Sequence, residues 1–388
     1  MRVSGSQLIR LMIMKAIRRH GPISRTELTS LTGLASATVT DITAELLSNN
    51  LIVELKDQQK KRGRPRVQLQ INPAGAAVIA VNLTSRSAIE IAVVDLCGGR
   101  LEGLVLTLRE RRTLGHLALE MAAAISDLIS QSSLRVDQIT RIGISLPGVI
   151  DTIRGDVLAM TTFPPGPVSF SKIVEDKLRI PVTIENDMLC MARAEHWFGR
   201  AQRLDDFTVV YVGHTVGSAE YSGGLPYFRA VGIPPELAHV KVDLSEHARS
   251  CVCGARGCLM MYSSVFGLLS HLKLVGNIPA SITELDQAFA GFLEGLHSPE
   301  HLQQLSIAGG SLGLALGNYL NATGPANLLI VCDHPAMIPL ITDSFDRAIK
   351  AHTLPSILAN SETRFEPASH DWRWQGAAAL ALEQIYLS

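Results

Sequence analysis

The sequence predicts an α/β protein of two lobes that carries a winged helix-turn-helix at its N-terminus. Three observations lead there. The first 74 residues are basic and contain helical segments hinged on a glycine; after Gly75, strand-length apolar runs alternate with longer helical stretches; and three of the six cysteines fall within residues 251–258. At 388 residues and 47% hydrophobic composition, the chain is long enough for two or three domains with substantial cores.

The net charge of −1 conceals an asymmetry: residues 1–74 hold twelve Lys/Arg against five Asp/Glu, whereas the rest holds 23 against 31. A basic module on an acidic body points to nucleic acid at one end and a different ligand at the other. Leu8–Met14 is apolar but broken by Arg10, and no small-residue cleavage site follows, so no signal peptide is expected. No run approaches the ~20 apolar residues of a membrane helix, and clustered thiols suit a reducing compartment. A cytoplasmic protein without membrane insertion is expected.

Within the basic module, Leu8, Leu11, Ile13 and Ile17 predict a helix from Ser6 to about Arg19, stopped by His20-Gly21-Pro22. Ser24 and Glu27 form a capping-box pattern for a second helix, which Gly33 ends. Ser36 is expected to cap a third helix through Leu47, with Val39, Ile42, Leu46 and Leu47 inside and Ser36, Thr38, Thr40 and Thr43 left free. Such a helix can enter a major groove. Leu51–Leu55 and Val67–Ile71 read as the strands of a wing, and between them lies Lys60-Lys61-Arg62-Gly63-Arg64-Pro65-Arg66. Arg62, Arg64 and Arg66 can neutralise phosphates, and the extended Arg-Gly-Arg-Pro stretch suits the narrow minor groove of A·T-rich DNA. The DNA-contacting set is therefore Ser36, Thr38, Thr40, Arg62, Arg64 and Arg66. A two-fold operator, read by a homodimer or higher oligomer, is the expected partner.

From residue 75 to 388 the elements come in two series. The first has strands at 77–81 and 89–94, a helix at 117–129 and a strand at 142–146. The second has a strand at 182–184, a helix from Asp187 to Trp197, strands at 207–212 and 328–331, helices near 283–293 and 306–320, and a last helix from Trp374. Two such series imply two lobes, and clefts between lobes bind small ligands.

Cys251-Val252-Cys253-Gly254-Ala255-Arg256-Gly257-Cys258 reads as a metal knuckle. The paired glycines allow the tight turns that bring thiolates to one point. The fourth ligand is expected to be His239, with His247 as runner-up. A closed Cys3His set leaves no position for substrate, so the expected zinc is structural.

Glu236-Leu237-Ala238-His239 paired with Cys-x-Cys-Gly-x-x-Gly-Cys, together with Ile184-Glu185-Asn186-Asp187 and the turn Gly213-His214-Thr215-Val216-Gly217, resembles the ROK family of repressors, open reading frames and sugar kinases. The resemblance implies an actin-like ATPase fold for the body. Members with a winged helix-turn-helix head and a Gly-Arg-Pro wing resemble the repressors that respond to N-acetylglucosamine, glucose and xylose. By the same resemblance, Asn186, Asp187, Glu236 and His239 are the sugar-gripping set, and Asp187 stands at the kinases' catalytic aspartate.

The chain departs from the kinase pattern. Asn82-Leu83-Thr84-Ser85-Arg86 replaces the Asp-x-Gly-Gly-Thr of family kinases, removing two phosphate-cradling glycines and a magnesium-side carboxylate. His214, Thr215 and Ser218 occupy the second phosphate turn, and Val331-Cys332-Asp333 replaces a glycine pair by the adenosine. No ATP and no kinase activity are expected, an active sugar kinase being the least favoured reading. On the sugar side, Met260 replaces a glutamate, Thr162 an asparagine, and Pro235 and Ala238 two glycines. The expected function is a transcriptional regulator, a repressor of carbohydrate uptake or catabolism genes, that senses a sugar-like effector. The alternative is a silent cleft with control by a partner protein.

Overall fold

The computed structural model describes residues 4–56, 67–85, 88–107, 113–132, 138–160, 163–227, 234–276, 282–295, 298–369 and 371–388. The chain divides into two compact units, one of residues 1–190 with 373–388, the other of residues 191–372.

The first unit opens with α1 (Gly5–His20), β1 (Ile23–Ser24), α2 (Arg25–Thr32) and α3 (Ser36–Ser48), followed by β2 (Ile52–Lys56) and β3 (Val67–Ile71). Ser24 caps α2 with Glu27 closing a full capping box, and Gly33 ends it in the left-handed conformation, as its lack of a Cβ permits. β1, β3 and β2 form a three-stranded sheet, with Ile52 opposite Ile71 and Ile23 opposite Leu69. Arg62, Arg64 and Arg66 lie outside the described residues.

Two expectations for α3 are corrected. The N-cap position is Ala35, without a side-chain cap bond, because the helix starts one residue earlier, at Ser36 itself. Thr43 is fully buried, and its hydroxyl accepts a hydrogen bond from Arg25 Nε at 2.9 Å. Arg25 also reaches Glu54 of β2 at 3.0 Å, and Arg10 of α1 pairs with Glu45 of α3. The helices are thus tied together by polar contacts in which Thr43 takes part, while Ser36 and Thr40 stay exposed.

The remainder of this unit is a mixed sheet in the order β10-β7-β4-β5-β6, made of β4 (Ala77–Ser85), β5 (Ala88–Asp95), β6 (Arg100–Thr107), β7 (Ile139–Leu146) and, after the short β8 (Val149–Asp151) and β9 (Asp156–Ala159), β10 (Val182–Asn186). β4 is buried along its apolar length because it is the central strand. α4 (Leu114–Gln131) and α5 (Phe170–Leu178) join one core with it, in which Leu117, Met121 and Ile125 meet Ile79, Val81 and Ile91. Gly143 of β7 lets the carbonyl of Ala377 approach where any Cβ would collide. α6 (Asp187–Trp197) follows β10.

The second unit has a five-stranded sheet ordered β13-β12-β11-β14-β15. Its strands are β11 (Phe207–Val212), β12 (Val216–Ser222), β13 (Leu225–Tyr227), β14 (Asn327–Cys332) and β15 (Glu362–Pro367). Its helices are α7 (Met260–Ser263), α8 (Val265–His271), α9 (Ile282–Glu294), α10 (Pro299–Thr323), α11 (Ile338–His352) and the single turn α12 (Pro355–Leu358). Gly309 and Gly313 on α10 face the Ile341 and Phe345 carbonyls of α11, an approach that larger residues would block. α13 (Trp372–Leu387) returns the chain to the first unit.

Candidate functional site

The knuckle assembles as its spacing predicts. Gly254 and Gly257 both adopt positive φ, at 86° and 75°, and a Cβ on Gly257 would collide with the Asp243 carbonyl. The Gly254 amide donates to the Cys251 carbonyl at 3.0 Å, and Lys241 pairs with Cys258 in an isolated bridge. These turns bring Cys251, Cys253, Cys258 and His239 together, one donor atom from each lying within 4.8 Å of the others. His239 reaches the group from a short 3-10 turn, Leu237–His239. His247 is exposed and is not part of the group.

The donor spacing fits zinc. A tetrahedral ion with Zn–S of ~2.3 Å separates its sulfurs by ~3.8 Å. Cys253 Sγ and Cys258 Sγ are 3.7 Å apart, as are Cys251 Sγ and His239 Nδ1. Burial pushes the Cys251 thiol up to about 11, while the Ala255 backbone amide holds Cys253 below its ordinary value. Lys241 Nζ donates to Cys258 Sγ at 2.8 Å. The surrounding loop is cross-braced: Arg249 lies over the Tyr262 ring at 4.4 Å and donates to Met261 and Gln304, and the Tyr262 hydroxyl donates to Asp243 at 2.6 Å.

Of the sugar-gripping set, Asn186 and Asp187 belong to the first unit and Glu236 and His239 to the second. Asn186 is buried, and much of its capacity is spent internally. Its Nδ2 donates to the Gly148 carbonyl at 2.9 Å and its Oδ1 accepts from the Met188 amide at 2.8 Å, the helix-start role that Asn-Asp after a strand also serves. Asp187 is half-buried and Glu236 exposed. Met260 is buried in the apolar core of its unit. Thr162 lies outside the described residues.

The residues that replace the phosphate turns have other uses here. Asn82 is buried in central strand β4, and the Ser218 hydroxyl donates to the Pro235 carbonyl at 3.0 Å, fixing the segment that leads to Glu236 and His239. His214 bonds Asp286 at 2.7 Å. Sequence reasoning marked His214 only as a misfit and missed Asp286 and His334, which join it. Ser36 and Thr40 of α3 are exposed and Thr38 is half-buried, with the Thr40 hydroxyl resting on the Ser36 carbonyl at 2.8 Å. A groove of about 290 Å³ lined by Thr208, Glu220, Tyr319 and Asn327 contains none of the sequence-predicted residues.

A helical head with a three-stranded sheet, a body of two α/β units and a Cys3His loop define a class of two-module chains built on a sugar-kinase-like body. The profile of the ROK family matches residues 78–383, and the chain belongs to that family. The xylose repressor of Caldicellulosiruptor bescii is 29% identical over 69% of this chain and 66% of its own length. The DNA-binding transcriptional repressor Mlc of Escherichia coli is 26% identical over 95% of this chain and 91% of its own. Among solved structures, a ROK family transcriptional regulator described as a homologue of E. coli Mlc superposes with a TM-score of 0.80 at 25% identity, covering 98% of this chain and 96% of that one. The ROK hexokinase of Thermus thermophilus shares the fold with a TM-score of 0.62 at 21% identity, covering 80% of this chain and 99% of its own. The fold class expected from the sequence, a winged helix-turn-helix followed by an actin-like body, is the one found. No helix among the described residues is long and apolar enough to cross a membrane.

Proposed function

We propose that this chain is a DNA-binding transcriptional regulator, a repressor of carbohydrate uptake or catabolism genes, whose kinase-like body senses a sugar-like effector. The observation that carries the reading is the head itself: α3 presents Ser36 and Thr40 to solvent on a three-helix frame, in a chain whose relatives are named as a xylose repressor and a DNA-binding transcriptional repressor. The head occupies residues 1–74 and the ROK domain residues 75–388. α3 enters the major groove of a two-fold operator bound by a homodimer, and Arg62, Arg64 and Arg66 follow the adjacent backbone. The protein acts in the cytoplasm, where its operator is.

The body is not an enzyme in this reading. The residues at the phosphate turns are committed to structural hydrogen bonds or are too bulky to cradle phosphate. Zinc on His239, Cys251, Cys253 and Cys258 is structural: with four protein donors it supplies a cross-link that fixes the turn bearing Glu236. Carboxylates such as those of Asp187 and Glu236 suit polyol hydroxyls as acceptors, and Asn186 and His239 complete the proposed effector set. A ligand changes operator affinity only by favouring one state of the protein over another.

The test is operator binding by the full chain at fixed salt, with and without sugars, amino sugars and their phosphates. Thr40→Ala is expected to weaken operator binding while leaving non-specific DNA affinity unchanged. Asp187→Ala is expected to weaken effector binding about tenfold, or 1.4 kcal/mol. Equal effector affinity in Asp187→Ala and wild type moves control to a partner protein, and release of ADP with any hexose overturns the non-enzymatic reading.

A further inference from the structure

We propose that His214, Asp286 and His334 form a second metal site in the 191–372 unit, suited to a divalent first-row transition ion such as zinc. Its donors come from three separate elements: His214 from the turn after β11, Asp286 from α9, and His334 from just beyond β14. One atom from each residue lies within 4.8 Å of the other two. His214 Nε2 is 2.7 Å and His334 Nε2 3.5 Å from the same Asp286 Oδ1. An ion with bonds of ~2.0–2.1 Å to nitrogen and oxygen separates its donors by ~3.3 Å, so shifts of less than ~1 Å would admit it.

An ordinary ion pair explains less of this arrangement. One imidazole suffices to pair with Asp286, yet two come within 3.5 Å of one oxygen. His334 Nε2 is buried without a hydrogen-bond partner among the described residues, an unfavourable condition when nothing fills it.

The surroundings are those of an oriented ligand. The other nitrogen of His214, Nδ1, faces Asp333 Oδ2 at 3.6 Å, and Tyr211 donates its hydroxyl to that same oxygen at 2.7 Å. Carboxylates placed behind ligating histidines fix the ring and raise its basicity. Gly213 is required for this, because a Cβ there would collide with the Tyr211 hydroxyl. Phe289 packs at a tilt of 55° against His334, with ring centroids 4.7 Å apart, and closes the inner side. The half-exposed side chain of Asp286 leaves a path from solvent. Three protein donors leave a fourth position for water or an exogenous oxygen or nitrogen ligand.

The experiment uses the full chain with its knuckle already loaded. Zinc, and separately cobalt(II), is titrated calorimetrically into wild type, His214→Gln, His334→Gln and Asp286→Asn, with Cys258→Ser as the knuckle control. Wild type is expected to take a further equivalent, weakened about 100-fold in either histidine variant. The added cobalt is expected to lack the thiolate-to-metal charge-transfer absorption that the knuckle ion shows. Because Asp286 is on the surface, Asp286→Asn keeps the test intact if a histidine variant unfolds. Absence of a further equivalent in wild type overturns the proposal, as does unchanged affinity in Asp286→Asn and the folded histidine variants, or a thiolate band from the added ion. Loss of knuckle zinc in Cys258→Ser with retention of the second ion supports it and separates its fate from that of the knuckle.

Discussion

The Cys3His knuckle and the His214–Asp286–His334 cluster lie in the same unit but are built by opposite means. The knuckle draws three donors from eight consecutive residues, and its geometry is written into the backbone by two left-handed glycines. The cluster draws on positions as far apart as 214 and 334, and only the strand order, with β11 beside β14, brings them together. A local site depends on its turns; a dispersed one depends on the fold and adds to it little more than its own contacts.

The largest effect that follows is on the knuckle. Cys258→Ser should lose the zinc and about 4 kcal/mol or more of unfolding free energy, read by metal analysis and denaturant titration, because a buried thiolate and its cross-link go together. Zinc content equal to wild type would dissolve the contrast at once. Gly257→Ala should cost about 2–3 kcal/mol, since positive φ and the Asp243 carbonyl both oppose a Cβ. Gly254→Ala, with nothing within 4 Å, should cost about 1 kcal/mol.

Acidity gives a further distinction. The metal-free Cys251 thiol, pushed up to about 11 by burial, is protonated at neutral pH and must release its proton to bind zinc. Knuckle affinity should therefore rise with pH by about tenfold per unit for each proton expelled. The cluster contains no thiol to deprotonate, so its affinity should rise less steeply over the same range. Competition with a chelator between pH 7 and 8.5 measures both slopes, and equal slopes would contradict the assignment of donors. The smallest effect should be that of Tyr211→Phe: about 1 kcal/mol of stability and about tenfold in affinity at the cluster, with knuckle zinc untouched. An unchanged cluster affinity in that variant would mean that Asp333 does not orient His214.

The same distinction explains what could be read in advance. Paired glycines within a cysteine run have few other uses, so the knuckle was legible, and so were α2 and its capping box, where residues three apart cap each other. Thr43 misled because Arg25, eighteen positions away, reaches its hydroxyl. Strand β6 went unseen since it is a sheet edge with Leu101 and Val105 exposed, which blurs the apolar signal. α11 also went unmarked, although Pro339 in its first turn is a start signal. Asn186 shows the limit at the effector residues: Asn-Asp after a strand serves equally as a ligand grip and as a helix start, and only the bonds to Gly148 and Met188 reveal the second use. Asp286 stands 72 positions from His214, and no periodicity links two such residues.

The route of the polypeptide through the first unit has a consequence for biosynthesis. Residues 373–388 belong with residues 1–190, and the fully buried Ala377, Leu380, Ala381 and Tyr386 help to complete that core. The Tyr386 hydroxyl donates to the Leu96 carbonyl at 3.2 Å, and its ring neighbours Arg18 at the end of α1. The ribosome must therefore deliver all of residues 191–372, ~10–40 s of elongation at ~5–20 residues per second, before the first unit receives its last helix. Through that interval the nascent sheet keeps an apolar face open and Arg18 lacks its Tyr386 neighbour. A chain released before residue 373 would carry its head on an unfinished body, a natural client for chaperones and proteases.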